Sequence, residues 1–146
     1  MAVEGGCRCG AVRYKLALAA LPRTYACHCH YCQTWSGSAF SQQAIVAESM
    51  FEVSGPLDVF GWKTEDRVSR QRFCATCHNR LFNTNSARPG FIALRAGTLD
   101  DSDKLEVVAH IWVKRKQPWV IIPDGVPQWR ENAPPMELAQ ALIPRD

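Results

Sequence analysis

Apolar and polar side chains alternate along much of this chain, and a period of two is typical of half-buried β-strands. The clearest case lies near the beginning, where every second residue from Val12 to Leu18 is apolar and Arg13 and Lys15 lie between them. Similar short segments recur along the chain and are separated by glycine, proline and polar turns. We therefore predict further strands at residues 24–26, 39–46, 51–54, 57–62, 68–73, 91–96 and 106–113.

Helical character is confined to the tail of the chain. A helix is predicted at Pro135–Leu142, where proline in the first turn costs no hydrogen bond because the first N–H groups of a helix have no intrahelical partner. Residues 34–37, by contrast, are predicted to form a turn. Many short strands with frequent turns, and no repeat, linker or low-complexity segment, predict one mainly β domain over residues 1–146.

Composition narrows the possible partners. The chain has 146 residues, 47% hydrophobic and 21% charged, which is typical of a globular domain, and its formal net charge is +3. The densest basic cluster, Lys114-Arg115-Lys116, is too short to follow a nucleic-acid backbone, so we expect no nucleic-acid partner. No segment approaches the roughly 20 apolar residues of a membrane span, so no membrane association is expected. The first residues lack the charged and apolar segments of a secretory signal, and we expect a cytoplasmic location.

Cysteines carry the candidate chemistry. Three of the seven lie within residues 27–32, and the other four form two close pairs. In a reducing compartment, close cysteine pairs are more often metal ligands than disulfides, and an odd count fits a disulfide framework poorly. The candidate ligands are Cys7, Cys9, Cys27, Cys29, Cys32, Cys74 and Cys77.

The two pairs suffice to close one structural zinc site. Structural zinc takes four protein ligands, and two pairs from distant segments are a common arrangement. Cys7 and Cys9 lie two residues apart in a glycine-rich segment, so extended backbone would direct both sulfurs to one face. Two alternatives remain open: the four cysteines are free buried thiols, or Cys74 and Cys77 share an ion with Cys29 and Cys32 as a zinc ribbon.

The remaining cysteines, Cys27, Cys29 and Cys32, number one fewer than a closed site needs. Catalytic zinc keeps three protein ligands and one position for substrate. Three thiolates make zinc a poor acid toward water and favour a soft thiol ligand, so the spacing indicates thiol chemistry before hydrolysis. The alternative is a second structural site completed by His28 or His30, although in an extended segment both point away from the face of Cys27 and Cys29.

These motifs resemble the glutathione-dependent formaldehyde-activating enzyme family over roughly residues 5–130, with the three cysteine motifs in order. The resemblance implies a β-tent fold of packed antiparallel sheets with zinc knuckles. It also implies two zinc ions per chain: a structural ion on the two cysteine pairs and a catalytic ion on Cys27, Cys29 and Cys32. The matching segments are Gly6-Cys7-Arg8-Cys9-Gly10-Ala11-Val12, Cys27-His28-Cys29-His30-Tyr31-Cys32, Ser36-Gly37, Phe73-Cys74-Ala75-Thr76-Cys77, Gly97-Thr98-Leu99-Asp100, His110-Ile111, Trp119 and Asp124-Gly125-Val126-Pro127-Gln128.

The resemblance implies a carbon–sulfur lyase that joins glutathione or a similar thiol to formaldehyde or another small aldehyde. Two other functions remain open, a non-catalytic thiol carrier and a zinc-stabilised interaction module. The chain departs from the family pattern at His78-Asn79, where glycine usually follows the knuckle, and at Val107, where proline is usual. Histidine and asparagine tolerate positive φ better than most residues, so we expect the knuckle to form.

Overall fold

The computed structural model describes residues 3–144, and β-strands dominate this part of the chain, as the alternating pattern predicts. No helix within these residues combines the length and apolar character needed to cross a membrane. The strands are β1 (Val3–Gly6), β2 (Arg13–Leu16), β3 (Thr24–Cys27), β4 (Ser41–Ala47), β5 (Phe51–Ser54), β6 (Leu57–Lys63), β7 (Val68–Cys74), β8 (Arg80–Asn85), β9 (Phe91–Arg95) and β10 (Val107–Ile111), and the helices are α1 (His30–Ser36) and α2 (Pro135–Leu142).

The chain divides into two compact units, and each contains one set of cysteines. The first unit runs to Leu21 and resumes over Ala44–Lys104, and it holds Cys7, Cys9, Cys74 and Cys77. The second unit comprises Pro22–Gln43 and the residues from Leu105 onward, and it holds Cys27, Cys29 and Cys32. The expectation of a single domain over residues 1–146 stays a prediction.

The first unit contains a three-stranded antiparallel sheet in the order β1-β2-β5 and an antiparallel run β6-β7-β8-β9. An aromatic cluster packs between them. The ring of Phe51 on β5 lies 5.4 Å from that of Tyr14 on β2 and 4.8 Å from that of Phe82 on β8. Tyr14 and Leu16 are buried while Arg13 and Lys15 are exposed, so the alternation around residue 14 marks the buried face as predicted.

Strand β1 is absent from the sequence-based prediction because glycine is depleted in strands. The structure explains its two glycines. A Cβ at Gly5 would overlap the hydroxyl of Tyr14, and one at Gly6 would overlap the carbonyl oxygen of Val12. The Tyr14 hydroxyl lies 2.8 Å from Thr98 Oγ1, which donates to the carbonyl of Arg95. These close approaches require glycine, and they hold the segment that leads into Cys7.

The second unit contains the strand order β10-β3-β4. Strand β3 pairs antiparallel with the first half of β4 but parallel with β10, so this one pair departs from the antiparallel sheets that the resemblance implies. In this register Ala26 faces His110 and Cys27 faces Ile111. All four residues of β3 are buried, so packing fixes the end of the strand from which the cysteine-rich segment continues.

Helix α1 corrects the prediction of a turn at residues 34–37. It begins at His30 and ends at Ser36, and Gly37 follows in the left-handed conformation with φ 64°. Only Cys32 is buried among its residues, and Tyr31 and Trp35 are exposed although they lie four residues apart. A segment of seven residues is too short for this spacing to predict a helix. The helix predicted at Pro135–Leu142 is confirmed as α2.

Candidate metal centres

The first unit brings together the sulfurs of Cys7, Cys9, Cys74 and Cys77, and all four lie within 4.8 Å of one another. Cys7 directly follows β1, and Cys74 is the last residue of β7. The Sγ atom of Cys9 lies 3.6 Å from that of Cys7 and 3.8 Å from that of Cys74. Two segments far apart in sequence therefore meet at one tetrad of thiols.

The spacing of this tetrad matches zinc. Four sulfurs at about 2.3 Å from a tetrahedral ion lie about 3.8 Å from one another. The separations of 3.6 Å and 3.8 Å are close to that value. Four soft donors at this spacing fit zinc and offer nothing to a hard cation such as magnesium. The residues therefore fit the ion that the sequence predicts, while their role as ligands stays a prediction.

Backbone N–H groups donate hydrogen bonds to two sulfurs of the tetrad and thereby favour their ionised forms. The amide of Val12 donates to Cys7 Sγ at 3.3 Å, and the amides of Thr76 and Cys77 donate to Cys74 Sγ at 3.4 and 3.5 Å. Burial opposes ionisation of Cys7, but the Val12 amide and the neighbouring thiols outweigh it and lower its pKa to about 6. Such amides stabilise thiolates before and after an ion binds.

The knuckle that contains Cys74 and Cys77 closes through His78, which adopts the left-handed conformation at φ 63°. The amide of His78 donates to the carbonyl of Cys74 at 2.9 Å, and the amide of Cys74 donates to the carbonyl of Asn79 at 2.9 Å. The Asn79 side chain also accepts from the amide of Arg8 at 3.0 Å, which joins the knuckle to the Cys7–Cys9 turn. The knuckle forms without the family's glycine, as expected.

The second unit brings together the sulfurs of Cys27, Cys29 and Cys32, again within 4.8 Å of one another. Cys27 ends β3, Cys29 is the N-cap of α1 with φ −63° and ψ 157°, and Cys32 lies in the first turn. The amide of Cys32 donates to Cys29 Sγ at 3.3 Å, in the manner of a serine N-cap. Extended backbone at Cys27 and Cys29 followed by one helical turn thus turns three sulfurs to one point.

The pKa values of Cys27 and Cys29 are shifted in opposite directions. Hydrogen bonds from Cys27 and Cys32 lower the pKa of Cys29 to about 2. The hydrogen bonds of Cys27 with Cys29 and Cys32, and then burial, raise the pKa of Cys27. Three thiolates this close repel one another, so a cation is required for all three to be ionised. Cys29 is also the most exposed of the three, since Cys27 and Cys32 are buried. The cluster can therefore be approached from the side of Cys29.

A buried glutamine orients Cys32. The Gln43 amide donates to Cys32 Sγ at 3.5 Å, and its oxygen accepts from the Tyr25 hydroxyl at 2.8 Å. Gln43 lies opposite Tyr25 in the β3–β4 pair, so both side chains lie on the same face of the sheet. Neither residue is singled out by the sequence, because a strand glutamine becomes informative only when its cross-strand partner is known.

Neither neighbouring histidine belongs to the thiol cluster. His28 is fully buried, and its Nε2 lies 2.9 Å from His110 Nδ1, whereas His30 is exposed. Burial, and then the charges of His110 and Lys116, lower the pKa of His28 to about 4, so it is neutral at physiological pH. Among the residues that the structure describes, the ligand group in this unit consists of three cysteines. This geometry favours a three-ligand site over one closed by histidine.

Comparison with known proteins places these motifs in context. A family model described as glutathione-dependent formaldehyde-activating enzyme matches residues 2–115. The fold is similar to the crystal structure of a protein from Rhodobacter sphaeroides, with a TM-score of 0.54 and 21% sequence identity. That match covers 66% of this chain and 87% of the other. At this identity the structural match supports the fold alone.

Proposed function

Because the chain belongs to the glutathione-dependent formaldehyde-activating enzyme family, we propose that it is a zinc-dependent carbon–sulfur lyase-type enzyme. It joins a thiol, glutathione or a similar molecule, to formaldehyde or another small aldehyde in the cytoplasm. The observation that carries this proposal is the cluster of Cys27, Cys29 and Cys32, which offers three sulfur donors and no fourth protein ligand among the described residues.

The two cysteine sets have different roles in this proposal. Cys7, Cys9, Cys74 and Cys77 hold a structural zinc, since four ligands leave no position for substrate. Cys27, Cys29 and Cys32 hold the catalytic zinc. When bound there, zinc supplies the positive charge that keeps a substrate thiol ionised at neutral pH.

The residues of the second cluster determine how a substrate thiol approaches. Cys27 is buried at the end of β3 and Cys32 is held from behind by Gln43, so both occupy the inner side. Cys29 lies at the accessible side, where the chain turns from strand to helix. Zinc held by these three soft donors would bind a thiol in preference to an alcohol, because oxygen is the harder ligand.

The proposed reaction balances without a redox partner. The thiol loses its proton to solvent water, its sulfur attacks the aldehyde carbon, and a carbon–sulfur bond forms as the carbonyl π bond breaks. The electron pair moves to the carbonyl oxygen, which takes a proton from water. With glutathione and formaldehyde the product is S-hydroxymethylglutathione.

The test is the initial rate of S-hydroxymethylglutathione formation with and without the protein. Thiols add to formaldehyde unaided, so the expected result is saturable acceleration above the uncatalysed rate, lost in Cys29→Ser. A variant that keeps all seven cysteines and adds a hydroxyl elsewhere, Ala139→Ser on the exposed side of α2, is the matched control. Binding of glutathione without acceleration would replace the enzyme by a thiol carrier. The absence of both glutathione binding and acceleration would support an interaction module.

A further inference from the structure

The peptide between Cys27 and Cys29 is held at three points within the second unit. The amide of His28 donates to the carbonyl of Ile111 at 3.0 Å, and its ring bonds to His110. Its carbonyl accepts from the side-chain amide of Gln33 at 2.8 Å. Because this peptide joins two of the three thiol-bearing residues, its orientation sets the separation of their sulfurs.

Gln33 has more partners than any role in forming α1 requires. Its Nε2 donates to the carbonyls of both His28 and Arg115, at 2.8 and 3.0 Å. Its Oε1 accepts from the side-chain amide of Gln117 at 3.3 Å. Two carbonyl oxygens can only accept, so the NH₂ end of Gln33 must face them and the orientation of the amide is fixed.

The position of Gln33 in the helix explains its reach. With Cys29 as N-cap, His28 stands just before the cap and Gln33 is the fourth helical residue. In many helices an apolar pair at these two positions fixes the angle at which the chain enters. Here a hydrogen bond between a side-chain amide and a backbone carbonyl does the same, and it acts on the segment that bears the thiols.

We propose that Gln33 is a positioning residue for the three-cysteine site. It holds the His28 carbonyl and thereby fixes the arrangement of Cys27 and Cys29 that receives the metal ion. This inference rests on the proposed function in one respect, that the three cysteines bind zinc. Partners behind the ligands of a metal site typically contribute 10–100-fold to metal affinity.

The test is competition for Zn²⁺ between the protein and a chromophoric chelator, which yields a dissociation constant for each site. Gln33→Glu places a carboxylate oxygen against two carbonyls, and Gln33→Met keeps the length but removes both donors. We expect each variant to weaken zinc binding about 10–100-fold at one site and to leave the other unchanged. Gln140→Glu, the same charge change at an exposed position on α2, should leave both affinities at the wild-type value.

The outcomes separate this inference from the proposed function. Wild-type protein that binds a single zinc ion would contradict the catalytic metal site and with it the inference. Two zinc ions in the wild type and unchanged affinities in both Gln33 variants would overturn the positioning role alone. If Gln33→Glu fails to fold, Gln33→Met decides: a folded chain with one weakened site supports the role. An unfolded Gln33→Met chain overturns the role, because Gln33 would then serve the fold.

Discussion

His28 Nε2 and His110 Nδ1 lie 2.9 Å apart, and both residues are buried. One nitrogen of this pair must donate and the other accept, so the two rings constrain each other's tautomers. The contact joins His28, which lies between Cys27 and Cys29, to strand β10, which pairs in parallel with β3. The sequence alone gives His110 no partner, since 82 positions separate it from His28.

We predict that His110→Phe destabilises the protein. Phenylalanine keeps a ring at the site but leaves His28 Nε2 buried without its partner, and an unsatisfied buried polar group costs about 1–3 kcal/mol. Chemical denaturation of the zinc-loaded protein measures the loss. His30→Phe changes an exposed histidine of the same segment and should cost less than about 0.5 kcal/mol. Equal losses in the two variants would contradict the structural importance of the pair.

We predict that the two cysteine sets differ in their effect on folding. A structural zinc contributes about 10–16 kcal/mol of apparent binding free energy, which is comparable with the whole stability of about 5–15 kcal/mol of a domain. Cys74→Ser opens the set that ties residues 7–9 to the knuckle and should unfold much of the chain. Cys29→Ser affects a local segment and should lower the melting temperature far less.

Thermal melts and metal analysis check this prediction together. Wild-type protein purified without chelator should contain close to two zinc ions per chain, and Cys29→Ser close to one. Equal collapse of the two variants, or the reverse order of their melting temperatures, would show that the assignment of structural and catalytic sets is wrong.

We predict that position 78 accepts glycine but rejects a β-branched residue. His78 has φ 63°, where glycine carries no steric penalty and valine a large one. His78→Gly should match or slightly exceed the wild-type stability, whereas His78→Val should lose about 1–3 kcal/mol. Thr76→Val changes a neighbouring exposed residue outside the left-handed region and is the control. A harmless His78→Val would show that the knuckle does not require this conformation.

We predict that Tyr14 makes the protein sensitive to alkali. Burial raises the pKa of Tyr14 above its ordinary value of 10. The folded state therefore keeps the phenolic proton that the unfolded chain loses, and the stabilisation is complete below pH 10 and lost as pH rises above it. Tyr14→Phe removes the bond to Thr98, which costs about 0.5–1.5 kcal/mol at neutral pH. Unfolding free energies between pH 8 and 11 should converge for the two proteins, and parallel profiles would contradict this account.

Strands could be predicted from the sequence where one face is buried, because burial imposes the period of two. Elements whose residues do not follow a burial period could not be predicted in this way. β1 contains glycines because the Tyr14 hydroxyl and the Val12 carbonyl occupy the space of their Cβ atoms. α1 has only seven residues, buries Cys32 alone, and presents thiols from its N-cap and first turn. Neither requirement can be recognised from the local pattern of apolar and polar residues.

The grouping of the thiols can be predicted from their spacing in sequence, but the residues that position them cannot. Cys7 and Cys9 are close to each other in the chain, so the spacing predicts the pairs. The count of cysteines predicts the partition into four and three, and the family resemblance implies the same partition. Gln33, Gln43 and His110 act through partners on other strands or loops, at sequence separations of up to 84 residues. Their importance is visible only once the β10-β3-β4 order is known.

The parallel pairing of β3 with β10 also has a consequence for biosynthesis. Ala44–Lys104, which belongs to the first unit, is translated between these two strands. Contacts between distant segments form slowly, and nascent chains fold from the N-terminus onward. The carbonyl of Ile111, which fixes the His28 amide, therefore reaches the cysteine-rich segment only when most of the chain has left the ribosome. Until then the three closely spaced thiols lack the contacts that hold their segment, and we expect the yield of correctly assembled protein to depend on zinc supply and thiol reductants during translation.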